Sequence, residues 1–380
     1  MTPLFPPQSR QRRDRRVRVL IYHATSEWTG TGRAAATLGR LLDASGARVT
    51  ASVRAEGAVE ERFAIEGLDI VTIDRDASVV AEAARLRKVI RDYFIEVVIV
   101  TSAFEHRVAS VAMRMAGRGA VLRRLQSGER VSGGVADRLS ARLASTGWLF
   151  ASDGERRSGR VPALALGGAV VPLGVSTSHH DVVQPVPRSA FSFAGGGPTL
   201  VCVGDPSVRE SATPLLRAVH LLLPRHAALR LLFVGRGTED DDLRMHAAAL
   251  GITRAVRFLG ERRDQLGIMR SADLGFVLAG GDDAAWACLD FMALRVPLIS
   301  PASAVAQEYV ADGITGVLLD RDDGPESAAA MATLIARPND RRRMGDAAHS
   351  RVAREYPESR MSDAIVRIVE RARERETWTS

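Results

Sequence analysis

Lysine is almost absent from this 380-residue chain: Lys88 is the only one, and every other basic side chain except histidine is an arginine. An ordinary catalytic lysine beyond residue 88 is therefore excluded, and arginine is the cation left to bind phosphate there. Cysteine is nearly as scarce. Cys202 and Cys288 both lie in apolar contexts, too few for a disulfide framework, and read as buried thiols. No Cys/His cluster has zinc spacing, so no metal site is expected. No apolar run approaches the ~20 residues that span a bilayer. The N-terminal arginines are followed only by the short apolar stretch Val19–Tyr22, less than the roughly 7–15 residues of a signal-peptide core. A cytoplasmic protein is the expectation. No short-period repeat is visible.

What is there is ordinary globular composition: 46% apolar and 26% charged residues, enough for two domains. The net charge is +7, but residues 1–18 hold six arginines and one aspartate, so most of it sits there. The remainder is near neutral, which argues against a nucleic-acid reader. Residues 1–16 read as a disordered basic arm. Such an arm is drawn to an anionic membrane surface by about 1 kcal/mol per basic residue, which allows a place at the inner membrane surface.

Hydrophobic patterning alternates between strands and helices. Strands are expected at Arg18–His23, Ala47–Val53, Ile70–Ile73, Glu96–Thr101, Ala120–Leu125 and Trp148–Ala151. Helices are expected at Arg33–Ala44, Val79–Tyr93, Arg107–Met115 and Val135–Leu143. After a further apolar stretch, Val170–Val175, residues 176–198 are rich in Ser, His, Pro and Gly. A second alternating series then opens at Thr199–Val203. Its later strands fall at Leu229–Val234, Val256–Phe258, Leu274–Val277, Val296–Ile299 and Gly316–Leu319. This rhythm predicts an α/β protein with two doubly wound Rossmann-like domains, whose ligands gather at the carboxyl ends of the strands. The expected domains are 17–172 and 199–355, joined by a linker at 173–198 and followed by a terminal segment at 356–380.

Gly30-x-Gly32-x-x-Ala35 fits a dinucleotide fingerprint on paper. Six residues separate it from the strand end at His23, however, where that turn should follow at once. The second strand lacks the terminal acid that NAD needs, although Arg54 would suit NADP. NAD(P) is thus the weaker alternative.

Seven segments stand in a telling order: VVPLGVS, TLVCVGD, LRLLFVGRGTEDDDLRMHAAALG, VRFLGER, ADLGFVL, LDFMALRVPLIS and EYVADGITGVLLD. In that order and spacing they resemble the GT-B glycosyltransferases of the family 4 (group 1) type, across most of residues 17–370. The resemblance implies a nucleotide-sugar donor, retention of anomeric configuration, no metal or other cofactor, and an acceptor that is a glycan, lipid or small molecule. It also implies that the amphipathic stretch after Tyr356-Pro357 crosses back onto the first domain.

The leaving nucleoside diphosphate gathers negative charge, so such a site needs cations or helix N-termini. The resemblance maps a carboxylate pair, eight positions apart on one helix, onto Asp282 for the sugar and Asp290 for ribose. Gly281 and Leu289 belong to the same segment. Each acid is one methylene shorter than the family's Glu, and a first-turn helix acid is the structural alternative for Asp282. The family's diphosphate-gripping Arg falls at Asp205 and its Lys at Glu210 or Arg209. Arg209 is therefore the expected catalytic cation after Gly204. Arg236 after Gly235, and Glu261 with Arg262, are further donor-binding candidates. Gly30, Gly32 and Arg33 correspond to a loop that reaches across toward the phosphates. The family's acceptor-side His position holds Ser127 here, which leaves His106 as the nearest catalytic histidine. The altered cation positions keep a second reading open: a catalytically degenerate homologue that acts as a binding or partner subunit.

Overall fold

The computed structural model describes residues 16–73, 78–117, 119–130, 134–159, 161, 165–191, 196–204, 209–238, 241–278, 280–321 and 323–374, without the side chains of Ala136 and residues 209–211. The basic arm expected over 1–16 lies, apart from Arg16, outside the described residues.

The first half runs β1 (Arg18–His23), α1 (Gly30–Ala44), β2 (Arg48–Val53), α2 (Ala58–Ile65), β3 (Asp69–Thr72), α3 (Val79–Asp92), β4 (Val97–Val100), α4 (Ala103–Ala116), β5 (Ala120–Arg124), α5 (Val135–Leu143), β6 (Ser145–Phe150), α6 (Asp153–Ser158) and β7 (Gly167–Val170). A short helix, α7 (Thr177–Val182), and a 3₁₀ turn at Arg188–Phe191 follow. The second half runs β8 (Thr199–Val203), α8 (Arg209–Leu222), β9 (Arg230–Val234), α9 (Asp241–Ala249), β10 (Val256–Phe258), α10 (Gln265–Arg270), β11 (Leu274–Val277), α11 (Gly281–Ala293), β12 (Leu298–Pro301), α12 (Ala304–Tyr309) and β13 (Gly316–Leu319). Three helices close the chain: α13 (Gly324–Ala336), α14 (Pro338–Glu355) and α15 (Glu358–Glu374).

Both sheets are parallel. Their strand orders are β3-β2-β1-β4-β5-β6-β7 and β10-β9-β8-β11-β12-β13. The order reverses between β1 and β4 and again between β8 and β11. Connections leave in opposite directions at those points and open a crevice beyond the strand ends. Strands buried on both faces read as continuous apolar runs, as in the fully buried Val97–Val100.

Two expectations move. The apolar stretch Val170–Val175 is not itself a strand: β7 ends at its first residue, Val170. Val175 instead pairs with the chain end: its N–H donates to Tyr356 O at 3.0 Å, and Glu358 N–H donates to its carbonyl. The linker is also not featureless, since α7 lies within it. Helix α15 packs on α1 and over β4 and β5, so the terminal helix does return to the first sheet. One apolar cluster runs through both halves, joining Val19 and Ile21 to Val201 and Val203 by way of α1 and α11. Among the described residues no helix is long and apolar enough to cross a membrane.

Candidate active site

The site lies where the two crevices meet, and its floor is the contact between the starts of α1 and α11. Thr29 caps α1, accepting from Gly32 N at 3.3 Å. The Gly30 N–H donates to Asp283 Oδ1 at 2.7 Å, and the Gly30 carbonyl accepts from Trp286 Nε1 at 2.9 Å. A Cβ on Gly30 would stand 2.4 Å from the Asp283 nitrogen, so only glycine allows this approach. The start of α1 is thus already occupied by a protein carboxylate. That is a poor match to the dinucleotide alternative, whose pyrophosphate would need the same N–H groups.

Asp290 is fully buried on α11, yet both its oxygens are engaged. Arg33 makes a forked pair with it, Nη1 to Oδ2 at 2.6 Å and Nη2 to Oδ1 at 2.9 Å. The Arg33 guanidinium lies over the Trp286 ring, 4.2 Å from its centroid. His180, from α7, adds a third contact, Nε2 to Oδ1 at 3.0 Å, while its Nδ1 meets Ser176 O at 2.8 Å. Both ring nitrogens face acceptors only, and an imidazole with two such partners binds a second proton. Burial opposes that charge, but the Asp290 bond and charge and the Ser176 carbonyl outweigh it and raise the His180 pKa. Burial likewise works against the Asp290 carboxylate, and Arg33 with His180 overrides it, holding the carboxyl well below its usual range.

A pH dependence follows from His180. Its pKa is higher folded than unfolded, so its contribution is complete below the unfolded value of about 6.5 and is lost as pH rises through the folded one. The melting-temperature gap between wild type and His180→Ala should therefore narrow as pH rises above about 6.5. A gap that stays constant would show that His180 acts by packing rather than by charge.

Asp282 forms a second bridge between the halves. Arg124, at the end of β5, donates from Nη1 to Oδ2 at 2.5 Å and from Nη2 to Oδ1 at 3.1 Å. Ser127 adds its N–H at 2.9 Å and its hydroxyl at 2.8 Å. Arginine and aspartate are both fully buried. Burial disfavours the Asp282 charge, and Arg124 and Ser127 more than restore it, lowering its pKa.

Around this floor opens a cavity of about 560 Å³. From the first half it takes Trp28, Gly30, Arg33, Arg40 and Arg62. From the second it takes Gly204, Gly235, Arg236, Glu261, Arg262, Arg263 and Asp283. Gly204 and Gly235 have φ of +142° and +127°, a region open to glycine, which lets the backbone turn away from the strand ends. Arg236 is bonded to Glu27 across the cleft, and Arg262 to Asp264 at 2.9 Å.

The expected donor-binding residues Gly30, Arg33, Gly204, Gly235, Arg236, Glu261, Arg262 and Asp290 therefore share one cavity. Others fall elsewhere. Asp282 does not line it, because its carboxylate is spent on Arg124 and Ser127; its neighbour Asp283 does. Asp290 reaches the cavity wall but has no oxygen free of protein partners. His106 is not a cleft residue: it is buried, bonded to Thr146 Oγ1 at 3.3 Å and edge-on to Trp148. Burial, with Arg123 and Arg107 nearby, pulls its pKa down to about 3. Leu289 is core. Gly32 faces His23 and Trp28, and Gly281 stands near Gln126, so neither lines the cavity. Arg209 begins α8, and its side chain, like all of Asp205, lies outside the described residues.

Sequence reasoning missed Arg124, His180 and Trp286. The paired histidines after VVPLGVS and the RR that ends β5 were the available signals, and neither has a fixed spacing to its partner. Among the described residues no group of three or more His, Cys, Asp or Glu is placed to hold a metal.

Comparison with known proteins bears on the family and the fold. Residues 187–351 match the family model for glycosyl transferases group 1. The chain is 24% identical over 187 residues to the lipopolysaccharide core biosynthesis glycosyltransferase LpsE of Rhizobium meliloti, covering 49% of this chain and 54% of that protein. It is 32% identical over 149 residues to the D-inositol 3-phosphate glycosyltransferase of Corynebacterium jeikeium, covering 37% and 36%. These matches span about half or less of the length of the relatives. Among solved structures, the Anabaena protein HepE in complex with UDP and glucose superposes with a TM-score of 0.79 at 16% identity, over 93% of this chain and 99% of that one. A Rickettsia africae glycosyltransferase gives 0.77 at 12% identity, over 94% and 99%. Residues 187–351 are thus similar to the glycosyl transferases group 1 family, and the chain as a whole has the GT-B fold.

Proposed function

We propose that the cleft binds a nucleotide sugar and that the chain transfers the sugar to an acceptor, with retention and without a metal ion. The observation that carries this reading is the cavity at the joined switch points, walled by Arg33, Arg40, Arg62, Arg236, Arg262 and Arg263. Five of the six are paired with carboxylates, Arg33 with Asp290, Arg40 with Glu66 and Glu358, Arg236 with Glu27, Arg262 with Asp264 and Arg263 with Glu61; a diphosphate would exchange with these carboxylates, since arginine grips phosphate with two parallel bonds. The group 1 match and the UDP-bound structural neighbour support the same ligand class. The acceptor is a glycan, a lipid or a small molecule.

One observation favours a second reading, a binding or partner subunit without transfer activity: Asp282 and Asp290 are both bonded out by arginines of the first half.

A ligand at a hundred times its Kd stabilises the native state by about 2.7 kcal/mol. A nucleoside diphosphate should therefore raise the melting temperature by several degrees in EDTA, and NADPH should not. Sugar release from nucleotide-sugar donors in the same buffer then separates the two readings. No shift with any nucleoside diphosphate rejects nucleotide-sugar transfer and leaves the partner subunit, and turnover that needs added magnesium rejects the metal-free mechanism.

A further inference from the structure

We propose that the outer face of the first sheet, formed by α3, α4 and α5, is a docking surface for an anionic phospholipid bilayer. These helices pack side by side, α3 on α4 and α4 on α5, over the Leu20 and Tyr22 side of the sheet, opposite α1. Their exposed charge is of one sign. Lys88 and Arg91 on α3, Arg107 and Arg114 on α4, and Arg138 and Arg142 on α5 are all exposed. Of the acids on the three helices, Glu82 and Glu105 are buried and Asp137 is bonded to Arg123 at 3.2 Å, which leaves Asp92 as the exposed one. The rest of the chain outside residues 1–18 is near neutral, so this concentration is local.

Charge alone would suit any polyanion. The apolar side chains set among it narrow the choice. Val135, Arg138, Leu139 and Arg142 share one side of α5 by helical spacing, and Val135 is 83% and Leu139 56% exposed. One turn of α3 presents Val80 in the same way, 63% exposed. A phosphate backbone offers aliphatic side chains nothing, whereas the headgroup boundary takes the aliphatic groups while the arginines stay with the phosphates. The combination of exposed aliphatic residues between arginines is the pattern of a surface that lies on a membrane. This face shares no residue with the N-terminal segment 1–16. It is also tied to the cleft: Arg123 anchors the first turn of α5 to the end of β5, next to Arg124.

The test is co-sedimentation of the full-length chain with phosphatidylcholine vesicles and with vesicles containing phosphatidylglycerol. Four proteins are compared: wild type, Val135→Ser/Leu139→Ser, Arg138→Glu/Arg142→Glu, and a chain whose arm arginines at positions 10, 12, 13, 15 and 16 are serine. All the changed face residues are exposed, and unchanged melting curves check that the fold is kept. Binding should require phosphatidylglycerol. The charge reversals should weaken it at least about tenfold, the serine pair should weaken it severalfold, and the arm variant should keep most of it. Loss in the arm variant with no effect of either face variant would overturn the proposal. So would equal binding of wild type and Val135→Ser/Leu139→Ser, or tighter binding to duplex DNA than to the vesicles, since either would make the face a general polyanion site.

Discussion

Replacing Arg124 with leucine should cost the folded protein about 3–5 kcal/mol, the usual consequence of stranding one member of a buried ion pair. Arg124 and Asp282 are both fully buried, and the pair joins the end of β5 to the first turn of α11. With the guanidinium gone, Asp282 keeps the two Ser127 bonds but has no opposing charge in a site without water access. The melting temperature should fall by roughly 10 °C, given about 2–4 °C per kcal/mol for domains of this size. Asp282→Leu should cost a similar amount by stranding the arginine instead. The double variant should recover much of the loss, because two apolar side chains of matching volume need no compensation. Urea denaturation of the four proteins gives the coupling directly. Additive losses, or single-variant losses below about 1 kcal/mol, would mean that the bridge is not what holds the halves closed. The acid limb provides a further check. The Asp282 pKa is depressed, so its contribution is present above the unfolded carboxylate value of about 3.9 and is lost as pH falls below it. The Asp282→Leu/Arg124→Leu protein should therefore unfold at lower pH than wild type does, relative to its own neutral stability.

The fold was legible because its signals are local. Strands such as Val97–Val100 are buried on both faces and read as unbroken apolar runs, and Thr199–Val203, Val256–Phe258 and Gly316–Leu319 fall where the pattern places them. Helix α2 escaped because only Val59 and Phe63 of its residues are buried, too few to make a period visible. Gly204, Gly235, Arg236 and Arg262 were legible for a related reason: they follow strand ends, and the strand ends define the crevice, whereas Arg40 and Arg62, on α1 and α2, carry no such mark and were missed. What the residues did not reveal was pairing across the cleft. The resemblance picks out Asp282 and Asp290, but nothing in LDFMALRVP indicates that Arg124, 158 positions before Asp282, and Arg33, 257 positions before Asp290, meet them. His106 looked available because a lone histidine near a strand end carries no mark of burial; it faces Trp148, not the cleft.

Arg33→Ala should lower affinity for a nucleoside diphosphate far more than for the nucleoside, by about 1.5–3 kcal/mol, or roughly ten- to a hundredfold. The argument rests on competition for two partners. Arg33 is bonded to Asp290, but its side chain is 28% exposed, lines the cavity and lies on the flat face of Trp286. A diphosphate entering beside Gly204 and Gly235 competes with Asp290 for the guanidinium. Ribose hydroxyls compete with Arg33 for Asp290. If both exchanges occur together, one internal ion pair is traded for two contacts with the ligand, and no buried charge is left alone. Removal of Arg33 then takes away the diphosphate contact, while Asp290→Ala takes away preference for a ribonucleotide over its 2′-deoxy form. His180 stays with its second acceptor, the Ser176 carbonyl, in either state. The competing account keeps Arg33 on Asp290 whether or not nucleotide is present, as a binding subunit with a sealed ribose site would. It predicts that both variants lose stability but leave the diphosphate increment and the ribose preference unchanged. Titration calorimetry with diphosphate, nucleoside and deoxy-diphosphate on wild type, Arg33→Ala and Asp290→Ala distinguishes them. A diphosphate increment preserved in Arg33→Ala would assign that charge to Arg236 or Arg262, and a ribose preference absent from wild type would leave Asp290 as a structural carboxylate.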